Sequence, residues 1–126
     1  MNRESLKRPH ESLDVWQKST ALVELVYACS SKFPETERFG LTAQIRRAAI
    51  SIPSNIAEGA ARRPTPEFLR FLSISRGSLS ELDTQLQLAF RLGYTRLSTE
   101  INERIDDAFS MLTGLMNSLQ ARRTAR

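Results

Sequence analysis

Apolar residues return at steps of three and four along most of the chain. Leu41, Ile45, Ala48, Ala49, Ile52, Ile56 and Ala60 form one helical face. Pro53 falls inside that pattern. It has no N–H for the carbonyl of Ala49, and its ring crowds that carbonyl, so a kink is expected there. Arg47, Ser51, Ser54, Asn55, Glu58 and Arg62 run along another side of the same helix as a polar stripe. Further on, Phe68, Leu72, Ser75, Leu79, Leu82, Leu86 and Ala89 alternate steps of four and three, a heptad seam with one polar member. Ile101, Ile105, Ala108, Leu112, Leu115 and Leu119 repeat that alternation. Before all of these, Val15, Trp16, Leu22, Val23, Val26, Tyr27 and Phe33 make a face that Ala21, Leu25 and Ala28 widen, so the first helix should have more than one neighbour.

Stop and start signals separate these segments. Ser12 or Asp14 can cap the first helix, with Gln17 placed as in a capping box. The stretch FPETERFG, from Phe33 to Gly40, reads as the first connection. At ARRPTPEF, Thr65 is a suitable N-cap, Pro66 takes the favoured first position and Glu67 meets the positive end of the helix dipole. Gly93 ends the third helix, and Ser98 or Thr99 caps the fourth. No strand pattern competes. The expected fold is all-α, an antiparallel up-down-up-down four-helix bundle with helix two kinked at Pro53. Residues 1–12 are expected as a flexible polar tail, residues 13–121 as the bundle, and residues 122–126 as a frayed basic tail.

Two rows invite a closer reading. The carbonyl freed by Pro53 needs a donor, and Arg47, Asn55 and Glu58 on adjacent turns could satisfy it and one another. An enclosed Glu58 would need a cation, for which Arg47, Arg62, Arg70 and Arg76 are the candidates. The expected structural network is therefore Arg47, Asn55, Glu58, Arg70 and Arg76, with an ordinary solvated face as the plainer alternative. The second row is Ser73, Gly77, Ser80 and Thr84, opposite the seam of the third helix, whose small members would let another backbone come close. Gly77 weakens an isolated helix by up to about 1 kcal/mol relative to alanine, so close packing within or between subunits is the expected compensation.

A length of 126 residues suits one domain. The net charge of +4 is unevenly placed. The first twelve residues carry +1 and the last five +3, which leaves the remainder neutral. Within that remainder Arg38 to Arg76 holds seven arginines and two glutamates, while Glu100 to Asp107 holds four acids and one arginine. Such segregation suits a polyanion or a second copy. Cys29 and His10 are the only residues of their kinds. Cys29 lies in an apolar run where a buried thiol fits, and His10 lies in the expected tail, so a triad, a Cys/His pair or a histidine metal site has no basis. Nor is there a glycine-rich phosphate loop or a helical Glu-x-x-His pair. The chain is expected to need no cofactor or metal, to act on no evident small molecule, to avoid membranes and, lacking a signal-like apolar start, to be cytoplasmic.

DVWQ at Asp14–Gln17, FGLTAQIRRAAISIPSNIAEG at Phe39–Gly59 and FLRFLSISRGSLSELDTQLQLAFRLGY at Phe68–Tyr94 together resemble the bacterial four-helix proteins named for intervening sequences in 23S ribosomal RNA genes. The resemblance spans roughly residues 12–95. It implies a bundle that assembles as a ring, typically a pentamer, with no established enzymatic activity. A related branch, the accessory proteins of diversity-generating retroelements, resembles basic pentameric barrels that bind nucleic acid and a reverse transcriptase. The neutral core of this chain departs from that branch.

Two functional readings follow. The first is a non-enzymatic homo-oligomer binding RNA, DNA or a nucleic-acid enzyme through Arg62, Arg63, Arg122, Arg123 and Arg126, with weak contacts multiplied by assembly. The alternative is a scaffold with a protein partner, its arginines engaged in internal and intersubunit ion pairs.

Overall fold

The computed structural model describes residues 8–124. α1 spans Asp14–Ser30, α2 Leu41–Arg62, α3 Thr65–Arg91 and α4 Thr99–Thr124, with 3-10 turns at Pro9–Ser12 and Glu35–Glu37. No strand occurs among the described residues, and the chain is an all-α four-helix bundle. Each helix packs on its neighbour in sequence and α1 also packs on α4, while α2 and α4 stand on a diagonal with their backbones farther apart.

The core is built from the rows that the periodicity singled out. Leu22 and Val26 of α1, Ile45, Ile52 and Ile56 of α2, Leu72, Leu79 and Leu82 of α3, and Leu112 of α4 are essentially closed to solvent. The wide apolar face of α1 is only partly used. Val15, Leu22 and Val26 are buried, Val23 and Leu25 are half-buried, and Tyr27 and Ala28 are exposed. Ser19 is tolerated in the core because its hydroxyl donates to the Val15 carbonyl at 2.6 Å.

α2 and α3 share the largest interface. Gly59 of α2 lies against Phe68 and Phe71 of α3. Further along, the buried Ser75 hydroxyl donates to the Ile52 carbonyl at 2.7 Å, and Ser51 and Ser78 pair at 2.8 Å. Ser75, the one polar member of the seam, thus gives a second donor to the carbonyl just before Pro53 and leaves its own hydroxyl satisfied in the core.

Both ends differ from the sequence expectation. Residues 9–12 are docked: Glu11 is buried, Gln17 Nε2 donates to the Glu11 carbonyl at 2.9 Å, and the His10 ring lies 4.8 Å from the Trp16 ring. Gln17 therefore ties the turn to α1 instead of completing a capping box with Asp14, and the N-cap is Leu13. At the other end α4 continues through Thr124, whose hydroxyl donates back to the Ala121 carbonyl at 3.1 Å. Good helix formers in QARRT carry the helix on although no apolar pattern does. The rest of the expected tails, residues 1–7 and 125–126, lies outside the described residues. α3 opens with Pro64, not Thr65, at its N-cap, since the extended backbone that Pro64 adopts already sets the entry. Ser98 caps α4 as expected, its hydroxyl accepting from the Ile101 N–H at 3.2 Å.

One clasp has no counterpart in the periodicity. The Glu37 carboxylate accepts from the Leu41 N–H at 3.0 Å, at the start of α2, and from the Tyr94 hydroxyl at 2.9 Å. It thereby joins the α1–α2 connection to the α3–α4 turn. The Leu41 hydrogen bond, and then that of Tyr94, hold the Glu37 carboxyl below its ordinary 4.5. The same hydrogen bond raises Tyr94 above 10.0. A carboxyl depressed by folding adds stability that is complete above 4.5 and is lost as pH falls through the lower folded value. A raised tyrosine adds stability that is complete below 10.0 and is lost as pH rises through the higher folded value. Thermal melting of wild type should therefore fall below pH 4.5, and Glu37→Ala should lower the neutral-pH melting point and flatten that acid fall. An equal acid slope in both proteins contradicts the clasp.

Candidate nucleic-acid interface

The α2–α3 corner is a tight turn between two helices, and its backbone is held in an uncommon conformation. Arg63 has φ 69°, positive for a residue with a side chain. Such a conformation costs on the order of 1–3 kcal/mol and persists only where the surroundings impose it. Here α2 ends against Pro64, whose ring disfavours the right-handed helical region for the preceding residue. Arg63 is exposed and forms no ion pair within 4.0 Å among the described residues.

The last turn of α4 reaches this corner. Pro64, Thr65 and Pro66 line one groove together with Arg122 and Arg123. Both arginines are exposed and, like Arg63, have no carboxylate partner among the described residues. Four of the five arginines singled out from sequence are thus gathered at one end of the bundle. Arg126 lies outside the described residues.

Arg62 is the exception within the group. It bridges Glu58 Oε1 and Glu67 Oε2, each at 3.6 Å, and its guanidinium lies 5.0 Å from the Phe71 ring centre. Arg70 joins the same cluster, 3.4 Å from Glu67 and 4.5 Å from the Phe71 ring centre. These pairs are about half-exposed, so each is worth little in stability, and they hold Arg62 and Arg70 flat on the corner.

The network expected around Pro53 does not assemble. Glu58 is half-exposed and pairs with Arg62 on the next turn, Arg70 with Glu67, and Arg76 Nη1 donates to Thr113 at 3.4 Å. Arg47 is exposed. Asn55 turns to its own helix, its amide donating to the Ser51 carbonyl at 2.8 Å and to the Ser51 hydroxyl at 2.9 Å. The stripe lies too far round α2 to be enclosed, so its charged members choose solvent and short-range partners.

The row Ser73, Gly77, Ser80 and Thr84 is exposed throughout, and a Cβ added at Gly77 would meet nothing within 4 Å. It is not a packing contact within this chain. Cys29 is half-buried, with its sulfur 3.2 Å from the Thr95 hydroxyl. Among the described residues no group of three His, Cys, Asp or Glu side chains is placed to hold a metal, and no helix is long and apolar enough to cross a membrane.

What the geometry defines is a four-helix bundle whose α2–α3 corner and α4 C-terminus form an arginine-rich end, suited to multiple charge-assisted contacts with an anion. Residues 11–114 match the family model described as 23S rRNA-intervening sequence protein, and the chain belongs to that family. No curated protein matches it.

Proposed function

We propose that this protein is a non-enzymatic homo-oligomer, most simply a pentamer, whose basic end binds the phosphate backbone of RNA or DNA. The observation that carries the reading is the convergence of Arg63, Arg122 and Arg123, none neutralised by a described carboxylate, around the Pro64–Pro66 turn. Three such cations on one copy bind weakly; a ring repeats them on one rim and makes the contacts mutually reinforcing. In this reading the helices alternate up and down and α2 bends at Pro53. The pairing of Gly59 with Phe68, Ile52 with Ser75 and Ser51 with Ser78 supports opposed directions for α2 and α3. No aromatic side chain is among the residues lining the groove, so binding should discriminate little between sequences. The chain acts in the cytoplasm, without cofactor, membrane or small-molecule substrate.

One observation favours the scaffold alternative: Arg62 and Arg70 are already engaged with Glu58 and Glu67, as in a surface whose charges serve internal pairing. Retention of a single-stranded RNA at low salt separates the two. The triple variant Arg63→Ala, Arg122→Ala, Arg123→Ala should bind at least about tenfold more weakly than wild type, while Arg91→Ala at the far end of α3 should bind normally. No retention by wild type, or equal loss in both variants, contradicts the nucleic-acid reading.

A further inference from the structure

The opposite end of the bundle carries two faces that match each other. On the outer side of α1 and α2, Tyr27, Phe39 and Ile50 are 38%, 87% and 43% exposed around one groove that Arg46 and Arg47 also line. Arg46 is held by neutral groups only: its Nε donates to the Ser30 hydroxyl at 2.8 Å and its guanidinium lies 4.4 Å from the Tyr27 ring centre. Its charge is positioned but not neutralised, and Arg47 has no partner at all among the described residues.

The complementary face is on α4. Glu103, Asp106 and Asp107 are exposed, with no cation within 4.0 Å among the described residues. The positive end of the α4 dipole accounts for Glu100 in the first turn, but its influence fades beyond that turn and leaves Asp106 and Asp107 uncompensated.

These faces also agree in height and direction. Ser51 pairs with Ser78, and Arg76, just below Ser78 on α3, reaches Thr113. Stepping from those contacts toward the Phe39 end at ~1.5 Å per residue brings Arg47 and Asp107 to about the same level. α2 and α4 occupy a diagonal of the bundle, so their outer faces point away from each other. A face and its complement on different sides of one body form a head-to-tail contact, and equal height keeps successive copies level, without a rise along the bundle axis.

We propose that the Tyr27–Phe39–Ile50 groove with Arg46 and Arg47 receives the Glu103–Asp106–Asp107 face of α4 from a second copy of this chain. The inference rests on the homo-oligomeric reading and assigns its interface. It also places every α2–α3 corner on the same rim, where the free arginines of successive copies are brought side by side. Apolar contact at Phe39 and Ile50 supplies association, while the charges set which faces meet.

Light scattering after size exclusion, in moderate salt, tests it with three proteins. Wild type should be oligomeric; a monomer overturns the homo-oligomeric reading itself. Arg47→Glu, and separately the pair Asp106→Arg with Asp107→Arg, should each shift the dissociation midpoint at least about tenfold toward monomer. Mixing the two variants should restore association, because each retains the face that the other lacks. An oligomeric wild type whose mass is unmoved by either reversal overturns the interface alone, as does a failure of the mixture to recover. If Arg47→Glu instead abolishes RNA retention without changing the mass, the groove is a nucleic-acid site and the proposal falls. Circular dichroism of each variant at equal helix content keeps loss of fold from imitating loss of contact.

Discussion

Gly59→Ala should destabilise the protein by about 1–3 kcal/mol, whereas the same substitution at Gly77 should stabilise the single chain by up to about 1 kcal/mol. A Cβ at Gly59 would stand 2.9 Å from Phe71 Cβ, 2.9 Å from Phe68 Cδ1 and 3.3 Å from the Phe68 carbonyl oxygen. Two of those atoms belong to the start of α3 and cannot rotate away, so the helices must separate near the corner that carries Arg63. The gain in helix propensity offsets part of that cost but not its sign. At Gly77 the added methyl meets nothing within 4 Å, and only the propensity gain remains. Chemical denaturation at a concentration low enough to favour the single chain measures both. Equal shifts for the two variants contradict the assigned packing; a Gly77→Ala gain that vanishes at high concentration indicates a second copy on the Ser73–Thr84 row.

That contrast also shows what the sequence can and cannot reveal. Both glycines lie in helical patterns with small neighbours, and periodicity assigns each to a helix without saying what stands opposite. The pairing partners of Gly59 are Phe68, which opens the heptad seam, and Phe71, which lies off it, so the row that identified α3 pointed to only half of the contact. The core itself was legible because burial follows period: Ile45, Ile52 and Ile56, and Leu72, Leu79 and Leu82, are the very positions that recur. The arginine-rich end was legible as composition, since Arg62 and Arg63 flank a proline turn and Arg122 and Arg123 lie near the end of the chain. Their convergence depended on α4 continuing to Thr124, where no apolar pattern marks a helix. The stripe around Glu58 failed for a geometric reason. A row one face away from the core can be enclosed or wet with identical spacing, and here a neighbouring element leaves Glu58 half-exposed beside Arg62. The Glu37–Tyr94 clasp joins two connections, which have no period to read.

Leu79→Ala should cost about 2–5 kcal/mol, while Leu88→Ala on the same helix should stay within about 0.5 kcal/mol. Leu79 is completely buried at the centre of the α3 seam, so truncation leaves a cavity that surrounding helices can only partly collapse. Leu88 is 47% exposed and projects away from that seam. Urea unfolding followed by circular dichroism distinguishes them, and a comparable loss at Leu88 would mean that this side chain is covered in solution by another copy. A total stability of roughly 0.05–0.15 kcal/mol per residue makes the Leu79 loss a substantial fraction of the whole.

The measurement bearing most directly on the central claim is the affinity of the unmodified protein for single-stranded RNA as a function of salt. If Arg63, Arg122 and Arg123 act on phosphates, log affinity should fall linearly with log salt, by about 0.7 for each phosphate neutralised, and the slope should become shallower when these three arginines are replaced by alanine. An affinity that ignores ionic strength, or no binding even at the lowest salt, would contradict it.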